Sequence, residues 1–191
     1  MQTSGVIQTA RLDLRRMTDA DAGFILRLLN EPSFLEFVGD KGIRTLDDAR
    51  RYVQEGPAAS YRAHGFGLYL VERRDDGIPI GICGLLQRDS LDDVDLGFAL
   101  IPEVWSQGYA SEAGRAVLTQ ARDEHGLSRV VAITSSNNDA SIRVLENLSF
   151  RFETMVRLSD EAPEIRLFAI DFPAGSTAPD RSGCAERRDA D

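Results

Sequence analysis

The sequence has little cysteine and no long apolar run, and each absence excludes a class of protein. Only two cysteines are present, Cys83 in an apolar segment and Cys184 in a polar tail. A disulfide framework or a structural metal site needs several cysteines or histidines at short spacing, so we predict no metal cofactor. No apolar run approaches the roughly 20 residues of a membrane-spanning helix. The first residues lack a basic segment followed by an apolar stretch, so we expect a cytoplasmic protein without a membrane partner.

Basic residues are also fewer than acidic residues. Lysine and arginine together number 22 against 31 acids, which gives a formal net charge of -9. Binding to DNA or RNA duplexes needs a basic face, so we expect no nucleic-acid partner. An acidic surface attracts a cationic substrate, such as an amine or a basic peptide. The same acidic balance also favours solubility alone, and the composition leaves both interpretations open.

The length of 191 residues favours one domain of ordinary size. From Pro173 onward the chain consists mainly of Gly, Ser, Pro, Asp and Arg. Such a composition cannot bury enough apolar surface to fold, so we expect a disordered tail over residues 173–191. The prediction is therefore a flexible N-terminus over residues 1–8 and a single domain over residues 9–172, present as a monomer or a homodimer.

The first half of the chain predicts strands and two helices. Apolar and polar residues alternate over residues 9–17, as in a strand, and Thr18 can cap a helix that runs to about residue 30. Pro32 begins a less regular segment. A second helix starts at Thr45 and is interrupted at Gly56 and Pro57. Three strands in close order then predict an antiparallel meander over residues 66–71, 78–86 and 93–101.

The second half changes character, because its apolar residues recur at helical spacing. A stripe from Ala110 to Ala121 predicts an amphipathic helix, and residues 130–133 form a short buried strand after it. Asn137 or Asn138 can cap a further helix, and residues 150–158 and 164–172 form a closing hairpin. Together these elements predict an α+β fold, with a mostly antiparallel twisted sheet of about six to seven strands and about four helices.

The turn between residues 101 and 109 can bind an anion. The amides at a helix N-terminus have no partner within the helix and carry a partial positive charge. Gly108 would let a phosphate approach the backbone without meeting a Cβ, and Ser111 adds a hydroxyl. A glycine at a helix start also serves as a plain cap, and the turn alone leaves both interpretations open.

The wider stretch LGFALIPEVWSQGYASEA (residues 96–113) closely resembles the acetyl-CoA-binding region of the GCN5-related N-acetyltransferases (GNAT). The nearest match is their RimJ/RimL-like branch. NDASIRVLENLSF (residues 138–150) resembles the next motif of that family, and TARLDLR (residues 9–15) is similar to the N-terminus of the branch. The resemblance covers roughly residues 9–172 and implies a GNAT-like fold.

The resemblance implies acetyl-CoA as co-substrate and an amine as acceptor. Backbone groups of the strand would hold the pantetheine arm, an amide near Leu100 would polarise the thioester carbonyl, and the turn would hold the pyrophosphate. The implied cofactor-binding residues are Phe98, Leu100, Ile101, Gln107, Gly108, Tyr109, Ala110, Ser111, Asn138 and Ser141.

Two residues are candidates for proton transfer. Ser141 would protonate the departing thiolate, directly or through water, and Asp95 would accept a proton from the amine through water. The simpler alternatives are that Asn138 caps its helix with Ser141 in the first turn, and that Asp95 belongs to a solvated acidic edge with Asp92 and Asp93.

The sequence departs from the family pattern at three positions. Trp105 stands where the general pattern has Arg or Gln, which the RimJ/RimL-like branch tolerates. Ser149 replaces the usual glycine before Phe150, so a positive φ there would strain it. Leu145 stands where many members carry a tyrosine general acid.

The expected function is therefore acetyl transfer to a primary amine, with a catalytically weak or inactive acyl-CoA-binding module of regulatory role as the alternative. The acceptor stays open between a protein N-terminus, an aminoglycoside-like polyamine and a small amino-acid-like metabolite. We expect its pocket to involve residues 31–65 and the last hairpin.

Overall fold

The computed structural model describes residues 7–173, which form eight strands and six α-helices around one sheet. The strands are β1 (Ile7–Gln8), β2 (Leu12–Arg16), β3 (Leu68–Arg73), β4 (Pro79–Leu86), β5 (Asp95–Leu100), β6 (Arg129–Thr134), β7 (Arg151–Val156) and β8 (Ile165–Asp171). The helices are α1 (Ala22–Leu29), α2 (Pro32–Phe37), α3 (Leu46–Glu55), α4 (Pro57–His64), α5 (Tyr109–Asp123) and α6 (Asp139–Asn147).

The predicted class of fold, a mostly antiparallel sheet with flanking helices, is confirmed, but the strand count is one higher than predicted. The additional strand is β1, whose Ile7 pairs with Leu14 of β2. Strand β1 therefore lies within residues 1–8, the segment predicted to be a flexible N-terminus. Residues 1–6 and, apart from Pro173, the predicted disordered tail lie outside the described residues.

Two helices were not predicted, and a proline begins each of them. Pro32 and Pro57 occupy the first turns of α2 and α4. Proline is favoured at this position because the first amides of a helix have no intrahelical partner and its φ is already helical. Pro57 was interpreted as an interruption and Pro32 as the start of a less regular segment, whereas each marks the start of a helix.

The sheet has the order β1-β2-β3-β4-β5-β6-β8-β7. Every neighbouring pair is antiparallel except β5 and β6, which are parallel and joined by α5. The predicted meander and strand-helix-strand unit are both present. Helix α5 contacts β1, β2, β4 and β5, and it also contacts α6. It buries the stripe of Ala113, Gly114, Val117, Leu118 and Ala121, as the helical spacing predicts.

Candidate active site

The main feature of the sheet is an opening between β5 and β6. The two strands share a single register pair, Asp95 with Val131, and one flanking hydrogen bond joins the amide of Val131 to the carbonyl of Val94 at 3.0 Å. Beyond this point β5 continues to pair with β4, and β6 continues to pair with β8. The strands therefore diverge, and one edge of β5 has no strand beside it.

The backbone groups on this free edge can be assigned from the alternation of a β-strand. The amide of Ile101 donates to the carbonyl of Ile80 at 2.9 Å, so the odd-numbered residues of this segment direct their amides and carbonyls toward β4. Phe98 and Leu100 are even-numbered, and their backbone groups face the opening. An extended ligand that enters the opening would find unpaired donors and acceptors there.

Trp105, the single tryptophan of the chain, lies at the mouth of this opening. Its indole N–H donates to the carbonyl of Leu100 at 2.8 Å. The side chain is 43% exposed and lines the cavity described below. The indole thus satisfies one of the carbonyls that the divergence of the strands leaves unpaired.

The predicted anion-binding turn has the backbone conformation that the glycine suggests. Gly108 is the N-cap of α5 and has a φ of 82°. The first helical hydrogen bond runs from the amide of Glu112 to the carbonyl of Gly108 at 3.0 Å. The amides of the preceding first-turn residues have no partner within the helix, which is the arrangement that binds phosphate. Ser106 also has a positive φ, of 60°, so the turn contains backbone strain just before the helix.

Glu112 joins the turn to the N-terminal segment of the chain. It accepts hydrogen bonds from the hydroxyl of Thr9 at 2.6 Å and from the amide of Arg11 at 2.9 Å. The Arg11 guanidinium pairs with the same carboxylate, donates to the carbonyl of Gln107 at 3.0 Å and lies over the Tyr109 ring at 4.4 Å. Burial opposes ionisation of Glu112, but the hydrogen bonds from Thr9 and Arg11 outweigh it and lower its pKa.

A cavity of about 590 Å³ extends along the turn and the free edge of β5. Eight of the ten predicted cofactor-binding residues line it: Phe98, Leu100, Gly108, Tyr109, Ala110, Ser111, Asn138 and Ser141. Ile101 does not, because its amide bonds to Ile80 and its carbonyl accepts from the amide of Val104 at 3.2 Å. Gln107 is not among the lining residues either, and its carbonyl is bound by Arg11.

Asn138 and Ser141 meet at the start of α6. The Asn138 carboxamide oxygen accepts from the amide of Ser141 at 3.1 Å, so Asn138 is the N-cap of the helix. Asn138 is 8% exposed, and both residues line the cavity. Within residues 7–173 neither the Ser141 hydroxyl nor the Asn138 Nδ2 has a hydrogen-bond partner. The cap is therefore real, and it leaves one polar group of each side chain free.

Asp95 lies elsewhere, at the closed end of the opening. It is 1% exposed and does not line the cavity, and both carboxylate oxygens accept from Arg88 Nε at 3.0 Å. Burial raises the pKa of Asp95 even though Arg88 opposes the shift. Asp95 thus does not reach the cavity that Ser141 lines. The structure does not place Asp95 on a solvated edge either, although Asp93 is more exposed and pairs with Arg129 at 2.9 Å.

Ser149 has the strained conformation that was expected, with a φ of 70°. Its amide donates to Glu146 at 2.9 Å, and the amide of Phe150 donates to Leu145 at 3.0 Å. These two bonds form a Schellman motif at the end of α6, in which glycine is the usual left-handed residue. Leu145, at the position of the family's tyrosine, is buried in the core.

One wall of the cavity lies mostly within residues 31–65, where the acceptor pocket was expected, although no residue or helix of this wall was predicted. It comes from the end of α1 and from α2 and consists of Leu28, Glu31, Ser33, Phe34, Phe37 and Val38. Arg143 and Asn147 of α6 also line the cavity and were not predicted. Pro32 could have indicated the wall, because a proline at the first position of a helix followed by apolar residues predicts an amphipathic helix.

Within residues 7–173, no helix is long and apolar enough to cross a membrane. Nor do these residues contain a group of three or more His, Cys, Asp or Glu side chains that could hold a metal ion.

Comparison with known proteins identifies the family. Residues 11–151 match the model of the acetyltransferase (GNAT) domain. The uncharacterized N-acetyltransferase YoaA of Bacillus subtilis is 30% identical over 155 residues, which cover 80% of this chain and 86% of that protein.

Two solved structures share the fold. An acetyltransferase from Agrobacterium tumefaciens superposes with a TM-score of 0.76 at 22% identity, over 90% of this chain and 97% of the other. The ribosomal L7/L12 α-N-protein acetyltransferase RimL, in complex with coenzyme A, superposes with a TM-score of 0.77 at 17% identity, over 90% of this chain and all of that one. The domain match and the relative at 30% identity show the family, and the strand opening and the shared fold agree with them: the chain belongs to the GNAT family of acetyltransferases.

Proposed function

We propose that this protein is an acetyl-CoA-dependent N-acetyltransferase that moves the acetyl group directly to a primary amine. The observation that carries the proposal is the free edge of β5, where the backbone groups of Phe98 and the amide of Leu100 are unpaired and both residues line one cavity with the turn at Gly108. An extended pantetheine arm would pair with such an edge as an added strand, with its pyrophosphate at the helix N-terminus. The cytoplasmic location and the absence of nucleic-acid and membrane partners belong to the same proposal.

The turn fits a pyrophosphate by its shape and its charge. A Cβ on Gly108 would have only Arg11 Nη2 nearby, at 3.5 Å, so the space in front of the glycine is open to a ligand. The unpaired amides of Tyr109, Ala110 and Ser111 supply donors. The guanidinium of Arg11 lies beside them, with its charge paired to Glu112.

The reaction requires the amine nitrogen to attack the thioester carbonyl carbon. A C–N bond forms, the C–S bond breaks, the amine loses a proton and the thiolate gains one. The Leu100 amide faces the opening and is the candidate donor to the carbonyl oxygen as negative charge develops on it. The Ser141 hydroxyl has no other partner among the described residues and is the candidate proton donor to the thiolate.

A second candidate function is an acyl-CoA-binding module with little or no catalysis and a regulatory role. Two observations favour it: Leu145 is buried where many members carry a tyrosine acid, and Asp95 is engaged by Arg88 away from the cavity. Such a module would use the same turn and the same strand edge. Only a measurement of acetyl transfer to an amine would distinguish this binding module from an enzyme.

The test of the proposal is thiol release from acetyl-CoA with a panel of primary amines, together with a matched pair of glycine variants. Gly108→Ala and Gly77→Ala both place a side chain on a left-handed residue, with φ of 82° and 68°, and Gly77 lies in the turn between β3 and β4. We expect only Gly108→Ala to weaken CoA binding, by about tenfold (~1.4 kcal/mol), because its Cβ meets the phosphate.

Each outcome has a distinct meaning. Thiol release that depends on an amine supports the enzyme. CoA binding without thiol release on any amine supports the binding module. Equal CoA affinity of the Gly108→Ala and Gly77→Ala variants would remove the turn from the site and contradict the proposal.

A further inference from the structure

The wall formed by α1 and α2 gives the cavity a chemical character beyond that of a coenzyme site. Four of its residues present apolar surface: Leu28, Phe34, Phe37 and Val38. Phe98 of β5 lines the same cavity. A site with this much aromatic and aliphatic surface gains affinity by burying an apolar group of its ligand.

The same wall contains one carboxylate. Glu31 is the only acidic residue among those that line the cavity in the described part of the chain. One of its oxygens accepts from Arg27 Nε at 3.2 Å, and Arg27 also pairs with Glu103. Two acids therefore share one arginine, which leaves a net negative charge on these three side chains. A single ammonium group would be stabilised there.

A second positive charge would not be stabilised. The other formally charged residue that lines the cavity is Arg143, which would repel a second cation. A polyamine or an aminoglycoside binds best where several carboxylates face it, and the lining supplies one. The charge distribution thus favours a ligand with one ammonium group and an uncharged body.

From these contacts we infer that the acceptor is a primary amine with one positive charge and one apolar, aromatic or branched, body. Glu31 attracts the ammonium group, and Phe34, Phe37 and Val38 pack against the body. The inference rests on the proposed function, because it names the class of amine that the same site would acetylate.

The experiment compares three acceptors of different chemistry. Thiol release from acetyl-CoA is measured with 2-phenylethylamine, with ethanolamine and with spermidine. We expect kcat/KM for 2-phenylethylamine to exceed that of either other amine by at least about tenfold, because only this amine buries a ring. A preference for spermidine or ethanolamine would overturn the inference and leave acetyl transfer intact.

Variants of the wall test the contacts themselves. Phe37→Ala should lower kcat/KM for 2-phenylethylamine by about tenfold, because the truncated side chain loses apolar contact. Glu31→Gln should raise the KM for the amine by about fivefold, with the KM for acetyl-CoA unchanged. Leu35→Ala is the control, since Leu35 is on the same helix, is 38% exposed and does not line the cavity.

The outcomes are separable from a failure of the proposed function. If Phe37→Ala and Leu35→Ala have the same kcat/KM for 2-phenylethylamine, the wall does not contact the acceptor and the inference is wrong. If no amine releases thiol while CoA still binds, acetyl transfer itself is refuted, and the inference with it. CoA affinity, followed by the fluorescence of Trp105, reports whether each variant is folded.

Discussion

The Asn138 side chain caps α6 through its carboxamide oxygen, and its amide group is free to bind a ligand. Mutation can therefore separate the capping role from the ligand-binding role. The Asn138 Oδ1 accepts from the Ser141 amide at 3.1 Å, and its Nδ2 has no partner within the described residues. Asn138→Asp keeps an oxygen at the cap and removes the amide donor. Asn138→Ala removes both. If the Asn138 amide binds acyl-CoA, both variants will bind acyl-CoA more weakly, but only Asn138→Ala will be less stable.

The sizes of these effects follow from the contacts. Loss of an N-cap side chain costs about 1 kcal/mol, which in a domain of this size lowers Tm by about 2–4 °C. Asn138→Ala should show this loss and Asn138→Asp should not, since Asp caps a helix as well as Asn does. Loss of one hydrogen-bond donor to the ligand costs about 0.5–1.5 kcal/mol, which raises the Kd for CoA by about two- to tenfold in both variants.

Thermal unfolding followed by circular dichroism measures the cap, and titration calorimetry with CoA measures the ligand contact. Thr45→Ala is the control, because Thr45 caps α3 through the Asp48 amide at 3.1 Å and does not line the cavity. It should lower Tm as Asn138→Ala does and leave the CoA affinity unchanged. An Asn138→Asp variant that binds CoA like the parent protein would refute the ligand contact, and one as unstable as Asn138→Ala would refute the cap.

Three other changes have expected outcomes. Ser149→Gly should raise the free energy of unfolding by about 1 kcal/mol and Tm by about 2–4 °C, because glycine relieves the positive φ; an unchanged Tm on thermal unfolding would contradict this. Ser141→Ala should lower kcat by more than about tenfold with little change in the KM for acetyl-CoA, and an unchanged kcat would remove Ser141 from the mechanism. Because the pKa of Glu112 is lowered in the folded protein, ionised Glu112 stabilises the fold at any pH above the ordinary pKa of a glutamate. This stabilisation is lost as the pH falls through the lowered pKa. Glu112→Gln should therefore lower Tm at pH 7 and have a smaller effect in strong acid, and a Tm difference independent of pH would show that its charge is not involved.

Much of the cofactor end of the site could be predicted from short stretches of sequence. The stripe of α5, the glycine at its start and the asparagine cap of α6 depend on neighbours within four residues along the chain. Such local patterns predict the same helix ends and buried faces whatever the tertiary structure is. Even the strain at Ser149 could be expected, because the end of a helix sets the backbone conformation that follows it.

The contacts that could not be predicted lie between different elements and loops. Asp95, the predicted base, is buried with Arg88 of the loop before β5, and the place of Asp95 on that strand does not tell which side chain covers it. The link of Glu112 to Thr9 and Arg11 joins residues about a hundred positions apart. No pattern of local spacing contains such a contact.

The sequence by itself predicted all the strands and α-helices except β1, α2 and α4, together with the turn before α5 and the family, because helix ends, apolar periodicity and short motifs are properties of short segments. Only the tertiary structure decided the rest of the site. The divergence of β5 from β6 exposes the groups of Phe98 and Leu100, and it depends on β6 pairing with β8, a strand formed at the end of the chain. The apolar wall with Glu31 reaches the cavity only when the first helices pack beside that opening. Long-range pairing and packing of this kind set which chemical groups share one cavity.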